Sequence, residues 1–226
     1  KLTREILVAA KQGGGNTDMN VRLRLAVQKA RDNNMPVDNI ERAIKRATGE
    51  GNSQDQLEEI LYEGYGPGGA AILLQAFTDN RNRTASEIRS TFAKNGGNLG
   101  ESGCVAWIFE QKGVITLEAP SEEAEELALM AIDLGADDFN IDNSNMDVYS
   151  APNKFEELRK SLEENKLKIS SAELSMLPKN TTPLDDKTAE QTLRLLDKLE
   201  DLDDVQKVYS NADFPEEVLT KYAEEA

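Results

Sequence analysis

Four of the six residues from 64 to 69 are glycines, and this cluster constrains the fold more than any other feature of the sequence. It lies between two apolar runs, 57–63 and 70–77, each of a length typical of a β-strand. Pro67 fixes one φ angle, and the glycines beside it supply the positive φ values that tight turns require. The pattern therefore predicts a β-hairpin with its turn at Gly-Pro-Gly-Gly.

The same cluster contains the spacing G-x-G-x-x-G, formed by Gly64, Gly66 and Gly69. In a dinucleotide-binding loop a helix begins directly after the glycines, and its free amide groups bind the pyrophosphate. Here the run 70–77 is typical of a buried strand, so a structural turn is favoured over a nucleotide loop. We expect this protein to use no cofactor.

The composition is that of a soluble protein. Of the 226 residues 38% are hydrophobic and 30% are charged, and no apolar run is long enough to cross a membrane. No signal peptide is visible, and the single Cys104 excludes an intramolecular disulfide, so we predict a cytoplasmic protein with no membrane partner. Because the chain begins at Lys1 within a helical pattern, we expect an N-terminal piece to precede it. The oligomeric state stays open, a monomer included.

The sequence contains no histidine, which is the usual acid, base and zinc ligand near neutral pH. A Ser-His-Asp triad is therefore impossible. Cys104 has apolar neighbours and no histidine to activate it, so a buried core thiol is favoured over a nucleophile. We predict a protein that is not an enzyme and has no catalytic or metal site.

Charge is distributed unevenly along the chain. Residues 1–52 carry ten Lys and Arg against six Asp and Glu, a net charge of +4. Residues 53–113 carry a net −3, and residues 114–226 carry 11 basic against 28 acidic residues, a net −17. This asymmetry predicts that the N-terminal third contacts a polyanion while the rest of the chain is repelled by it.

Apolar residues at helical spacing predict three helices in the basic third. One covers 1–12, one begins near Asn20 as its N-cap, and one follows Pro36 with Asp38 as its cap. Lys and Arg fill the faces opposite the apolar stripes. They could bind a polyanion or merely keep a small bundle soluble, and both interpretations remain open.

In the next segment, Thr84-Ala-Ser-Glu87 matches a capping box and predicts a helix from there to Asn95. Arg81 and Arg83 come just before this helix, where they could add to its positive end and bind a phosphate. Alternatively, they are ordinary exposed loop arginines. A strand is predicted over 105–109, and Gly113 is interpreted as a domain boundary.

From Val114 the pattern predicts the order β-α-β-β-α-β, which is a ferredoxin-like unit. A later helix over 187–199 and strand over 205–209 would complete the second segment. The predicted fold class is therefore α+β, with an N-terminal three-helix module and two ferredoxin-like α/β domains, one inserted in the other. The predicted domains are 1–52, the discontinuous 53–113 with 179–226, and the inserted 114–178.

Five stretches of the sequence are long and specific enough to compare with known families: Tyr62-Glu-Gly-Tyr-Gly-Pro-Gly-Gly, Asp79-Asn-Arg-Asn-Arg-Thr84, Gly96-Gly-Asn-Leu-Gly100, Asn34-Met-Pro36 and Asp204-Val-Gln-Lys-Val-Tyr209. Together they closely resemble the YebC/PmpR family, which includes mitochondrial translational activators. The resemblance implies a cytosolic, three-domain, non-enzymatic protein that acts as a probable DNA-binding transcriptional regulator. Some relatives instead resemble ribosome-associated factors that relieve stalling on proline-rich sequences.

Two targets therefore stay open, DNA and ribosomal RNA on the ribosome, because phosphate contacts look the same in either. An enzyme fits poorly. The residues predicted to contact nucleic acid are the basic ones of the N-terminal helices and the adjoining loop: Arg22, Arg24, Arg31, Arg42, Lys45, Arg46, Arg81 and Arg83.

The hairpin interpretation predicts that ATP, GTP and NAD do not bind at residues 64–69, because a strand rather than a helix follows the glycines. Isothermal titration calorimetry with each nucleotide should give no binding heat. A micromolar dissociation constant that Gly66→Ala abolishes would contradict the interpretation.

Overall fold

The computed structural model describes residues 1–49, 57–142 and 144–225. The chain forms two compact units, Lys1–Ile108 with Asn180–Ala226, and Phe109–Lys179. Each unit combines helices with a four-stranded antiparallel sheet, so the predicted α+β class is confirmed. The predicted boundary between 52 and 53 lies outside the described residues, and the three-domain division stays a prediction.

The elements before residue 109 are α1 (Leu2–Gly13), α2 (Val21–Asp32), α3 (Val37–Ala47), β1 (Glu58–Tyr65), β2 (Ala71–Thr78), α4 (Arg81–Lys94) and β3 (Asn98–Leu99). The second unit contains β4 (Phe109–Glu118), α5 (Ala124–Asp133), β5 (Asp138–Asp142), β6 (Asn145–Ser150), α6 (Phe155–Glu164) and β7 (Ile169–Pro178). The chain then continues with β8 (Thr182–Pro183), α7 (Asp186–Glu200), β9 (Val205–Ser210), β10 (Ala212–Asp213) and α8 (Glu216–Glu225).

The three N-terminal helices form a small bundle, as predicted. Their apolar stripes meet in one core that includes Ile6, Leu23 and Ile40. The buried Asn20 joins α1 to α2, because its Nδ2 donates to Ala9 O at 2.8 Å and its Oδ1 accepts from Leu23 N at 3.0 Å. Asn20 is thus the N-cap of α2 that the sequence predicts.

The first unit has a four-stranded antiparallel sheet in the order β3-β1-β2-β9. The predicted hairpin supplies its two central strands, and Gly68 and Gly69 take φ angles of 74° and 80° in the turn. Ile72 and Leu74 project towards α4 and α7 and form a core with Phe92 of α4 and other residues of both helices.

Leu73 and Phe77 occupy the opposite face of β2, because side chains alternate along a strand. On that face the guanidinium of Arg22 lies 5.9 Å from the centre of the Phe77 ring. The helical bundle therefore packs on the side of the sheet that α4 and α7 do not cover.

The second unit has the strand order β5-β6-β4-β7 with every neighbouring pair antiparallel. With the element order β-α-β-β-α-β, this is the predicted ferredoxin-like arrangement. Ile115, Leu117, Met146 and Val148 are fully buried on one face of the sheet. α5 contacts β5 and β6, and α6 contacts β4 and β7, so the two helices cover that face.

Several predicted elements are wrong in detail. α4 begins at Arg81 with Asn80 as its N-cap, rather than at Thr84. The expected strand over 105–109 is instead a single 3-10 turn, Ala106–Ile108, and Gly113 lies inside β4. Pro36, not Asp38, is the N-cap residue of α3.

The C-terminal part of the first unit contains elements that the sequence analysis missed. α8 packs through Val218 against Ala189 of α7 and Leu184, and β8 and β10 form a short parallel pair. In the described part of the chain, no helix has the length and apolarity needed to cross a membrane.

Cys104 lies in the loop 100–105 and is half-buried, so the expectation of a fully buried core thiol is wrong. The loop is held by the buried carboxylate of Glu63 on β1. Glu63 accepts backbone hydrogen bonds from Gly103 at 2.6 Å and from Val105 and Ala106 at 2.7 Å. Burial raises the pKa of Glu63, but these three hydrogen bonds outweigh it, and the pKa lies below the ordinary value.

Glu63→Gln should destabilise the protein by about 2 kcal/mol at pH 7, because the amide NH₂ of Gln would face a backbone N–H donor. Since the folded-state pKa is lowered, the Glu63 contribution is present above the unfolded pKa and is lost as pH falls through the folded pKa. Urea unfolding from pH 7 to pH 3 should therefore show the difference from the parent protein shrinking with acid. The matched control is Glu101→Gln, an exposed residue of the same loop; an equal loss in both variants would contradict the assignment.

Candidate nucleic-acid interface

α3 places three of the predicted basic residues on one face. Arg42, Lys45 and Arg46 stand at positions i, i+3 and i+4, and all three are exposed. Ile40 and Ala43 are buried on the other side of the helix in the core of the bundle. We call Arg42, Lys45 and Arg46 the α3 basic face; it occupies the last turns of the helix, where the macrodipole favours positive charge.

Arg31 is exposed in the last turn of α2. Gly15, in the loop that leads into α2, lies next to Ile44 and Thr48 near the end of α3. The start of α2 is therefore close to the α3 basic face, and Arg31, at the other end of α2, lies away from it. Within the described residues, Arg31, Arg42 and Lys45 form no ion pair. Their charges are available to an external anion.

Arg22 and Arg24, in the first turn of α2, are both half-buried. Arg22 donates to both carboxylate oxygens of Glu59 on β1, at 2.8 and 3.2 Å, and to Gln12 Oε1 at 2.7 Å. The Nε of Arg24 is buried, with no hydrogen-bond partner in the described structure. Arg22 therefore joins the helical bundle to the sheet, and its charge is already paired.

Arg81 and Arg83 lie within the first turn of α4 rather than before it. Arg81 Nε is 2.9 Å from a Glu58 oxygen, and both groups are largely exposed. Arg83 Nη2 is 2.9 Å from an Asp79 oxygen and 2.8 Å from Asp204 Oδ2. Positive charge opposes the macrodipole at the start of a helix, so these carboxylates offset an unfavourable position.

The sequence analysis names Asp204 only as part of a motif and misses its role as the ion-pair partner of two arginines. Its buried carboxylate accepts from Arg83, from Thr84 Oγ1 at 2.6 Å, and lies 3.3 Å from Arg4 Nη1 of α1. Burial raises the pKa of Asp204, but the hydrogen bonds from Arg83 and Thr84 and the two nearby guanidinium charges outweigh it, and the pKa lies below the ordinary value. Asp204 thus holds α1 and α4 at one point of the sheet.

The comparisons with known proteins cover almost the whole chain. Residues 1–50 match the sequence profile described as the TACO1/YebC protein N-terminal domain, and residues 57–212 match the profile of the TACO1/YebC second and third domain. The resemblance inferred from the motifs is confirmed.

Curated relatives have the same length within about a tenth. A probable transcriptional regulatory protein of Dehalococcoides mccartyi is 55% identical over 226 residues, which is 100% of this chain and 90% of the relative. One from Halothermothrix orenii is 53% identical over 228 residues, with the same coverage of 100% and 90%.

A solved structure also resembles the fold closely. The crystal structure of a conserved hypothetical protein from Aquifex aeolicus matches with a TM-score of 0.88 and 46% sequence identity. The match covers 96% of this chain and 90% of that one.

Asp204→Asn should destabilise the first unit by about 2 kcal/mol at pH 7, less than a fully buried ion pair, because Arg83 is half exposed. The folded-state pKa of Asp204 is lowered, so its contribution is present above the unfolded pKa and lost as pH falls through the folded pKa. Thermal melts at pH 7 and pH 3 should show a smaller deficit at pH 3 than at pH 7. Asp201→Asn, at an exposed carboxylate paired with Lys198, is the control and should leave the melting temperature within experimental error.

Proposed function

Because the chain belongs to the TACO1/YebC family, we propose that it is a non-enzymatic regulator of gene expression that binds nucleic acid through its N-terminal helices. The observation that carries the proposal is the α3 basic face, where three exposed cations share one surface of a short helix. Lys and Arg grouped in this way supply the phosphate contacts that dominate nucleic-acid affinity.

Double-stranded DNA is the first candidate target. The relatives from Dehalococcoides mccartyi and Halothermothrix orenii are named probable transcriptional regulatory proteins, which supports a role at the level of transcription. A cytoplasmic protein would meet this target directly in a bacterial cell. The net charge of +4 in residues 1–52, against −17 in residues 114–226, would orient the encounter.

Ribosomal RNA is the second candidate, because α3 is poorly suited to reading bases. Only residues 33–36 separate α2 from α3, a connection of the length found in helix-turn-helix motifs. Such motifs read bases with the N-terminal residues of the second helix. Here those positions expose Asp38 and Glu41, whose carboxylates would be repelled by phosphates. This favours sequence-independent phosphate contacts, as expected for a translation factor bound to the ribosome.

The eight predicted contact residues differ in how readily their side chains can contact a phosphate. Arg42 and Lys45 are the first choice, with Arg46 beside them on the exposed face of α3. Arg31 would make a separate contact at the end of α2. Arg24 and Arg81 are secondary. Arg22 and Arg83 would reach phosphate only by sharing or releasing Glu59 and Asp204, so their main contribution is to hold the bundle against the sheet.

If about four to six basic residues contact phosphates, log affinity should fall against log salt with a slope of about −3 to −5. Arg42→Ala/Lys45→Ala should reduce the slope by about two units and weaken different sequences almost equally. The measurement is a salt titration, by fluorescence anisotropy, of binding to duplex DNA and to a ribosomal RNA fragment.

The matched control is Lys154→Ala/Lys160→Ala, which removes the same charge from exposed positions of the second unit. A slope that changes equally in both double variants would refute the placement on α3. Loss of slope with RNA but not with DNA would select the ribosome. In Arg81→Ala/Arg83→Ala, weaker binding counts as a contact only if the melting temperature is retained, because Arg83 also binds Asp204.

A further inference from the structure

β5 is the outermost strand of the second sheet. It pairs with β6 on one side, and no other described strand lies along its second edge. All five of its residues are exposed. An open edge of this kind presents backbone donors and acceptors to another strand, and proteins commonly protect such edges with lysine.

Two large apolar side chains of β5 are exposed at this edge. Phe139 is paired with Val148 and Ile141 with Met146, and directly paired residues project from the same face of a sheet. They therefore point to the side that α5 covers, yet Phe139 stays 37% exposed and Ile141 39% exposed, while Val148 and Met146 are fully buried.

α5 adds two more exposed apolar residues on the same side of the sheet. Its buried stripe consists of Ala124, Ala128 and Ala131, so its larger residues are left outside the core. Leu129 is 69% exposed and Ile132 is 39% exposed. We call Phe139 and Ile141 the β5 apolar edge; Leu129 and Ile132 are further exposed apolar residues on the helix that covers this face of the sheet.

The segment of sequence that contains this edge carries only negative charge. Between Lys112 and Lys154 the sequence has ten Asp and Glu and neither Lys nor Arg. Asp138 and Asp142 belong to β5 itself and project from the face opposite Phe139 and Ile141. Such a surface repels nucleic acid, anionic lipid and a second copy of the same edge, whereas it attracts a cationic partner.

We propose that the β5 apolar edge binds a basic segment of a partner protein, which adds to the sheet as a further strand. Strand addition gives affinity through main-chain hydrogen bonds, and alternating side chains give specificity. Apolar residues of the segment would contact Phe139 and Ile141, and the Lys or Arg residues between them would face Asp138 and Asp142. The site is separate from the nucleic-acid interface proposed on α3.

The probe is a labelled ten-residue peptide that alternates Lys and Val, titrated with the whole protein by fluorescence anisotropy. Two matched peptides replace Lys by Glu or Val by Ser. Both should bind at least about tenfold more weakly, because each removes one of the two complementary features. Equal binding of the Glu peptide, or of the Ser peptide, would overturn the proposal.

Phe139→Ser/Ile141→Ser should weaken the Lys-Val peptide about tenfold, and Asp138→Asn/Asp142→Asn should reduce the salt dependence of its binding. Leu219→Ser, at an exposed apolar position of α8, is the control and should change neither the peptide affinity nor its salt dependence.

Circular dichroism and DNA binding of each variant would show that the fold and the α3 basic face are retained. Unchanged peptide affinity in the folded Phe139→Ser/Ile141→Ser variant would overturn the proposal, as would a dimer, seen by sedimentation, that this variant abolishes.

Discussion

The buried carboxylate of Asp204 is the contact on which the arrangement of the first unit depends. It binds Arg83 and Thr84 at the start of α4 and lies within ion-pair distance of Arg4 on α1, so one charge fixes both helices to the residue that directly precedes β9. A buried anion is tolerated only when its charge and its lone pairs are satisfied, and two guanidinium groups with a hydroxyl achieve that. The Arg22 contact with Glu59 acts in the same way on the other face of the sheet.

These ion pairs divide the basic residues into two groups that look identical in the sequence. Arg22 is 37 residues from Glu59 and Arg83 is 121 residues from Asp204, so no local pattern reveals these two pairs. Only the additional contact of Arg83 with Asp79, four residues before it, is local. Arg42 and Lys45 could be placed correctly on an exposed face, because Ile40 and Ala43 fix the buried side of a regular helix. Local periodicity thus predicts well which basic side chains are exposed, but it predicts poorly which of them are unpaired and able to bind a ligand.

The same limit explains which parts of the fold could be predicted. The hairpin follows from residues 57–77 alone, since positive φ angles at Gly68 and Gly69 need glycine and the flanking runs are apolar. The start of α4 cannot be predicted from the local sequence, because Asn80 and Thr84 are both good N-cap residues. In the structure the Thr84 hydroxyl donates to Asp204, and Asn80 caps the helix by accepting from Arg83 N at 3.1 Å. The choice is made by a residue 120 positions away.

The uneven charge along the sequence corresponds to two surfaces of the structure, one basic and one acidic. On α3, Lys45 and Arg46 lie in the last turn, where the macrodipole favours positive charge, and Asp38 lies in the first turn. Around β5 every charged side chain between residues 113 and 153 is an acid, and the apolar groups at its edge are uncovered. A phosphate surface and a basic protein segment are attracted to opposite signs of charge, so neither competes for the site of the other.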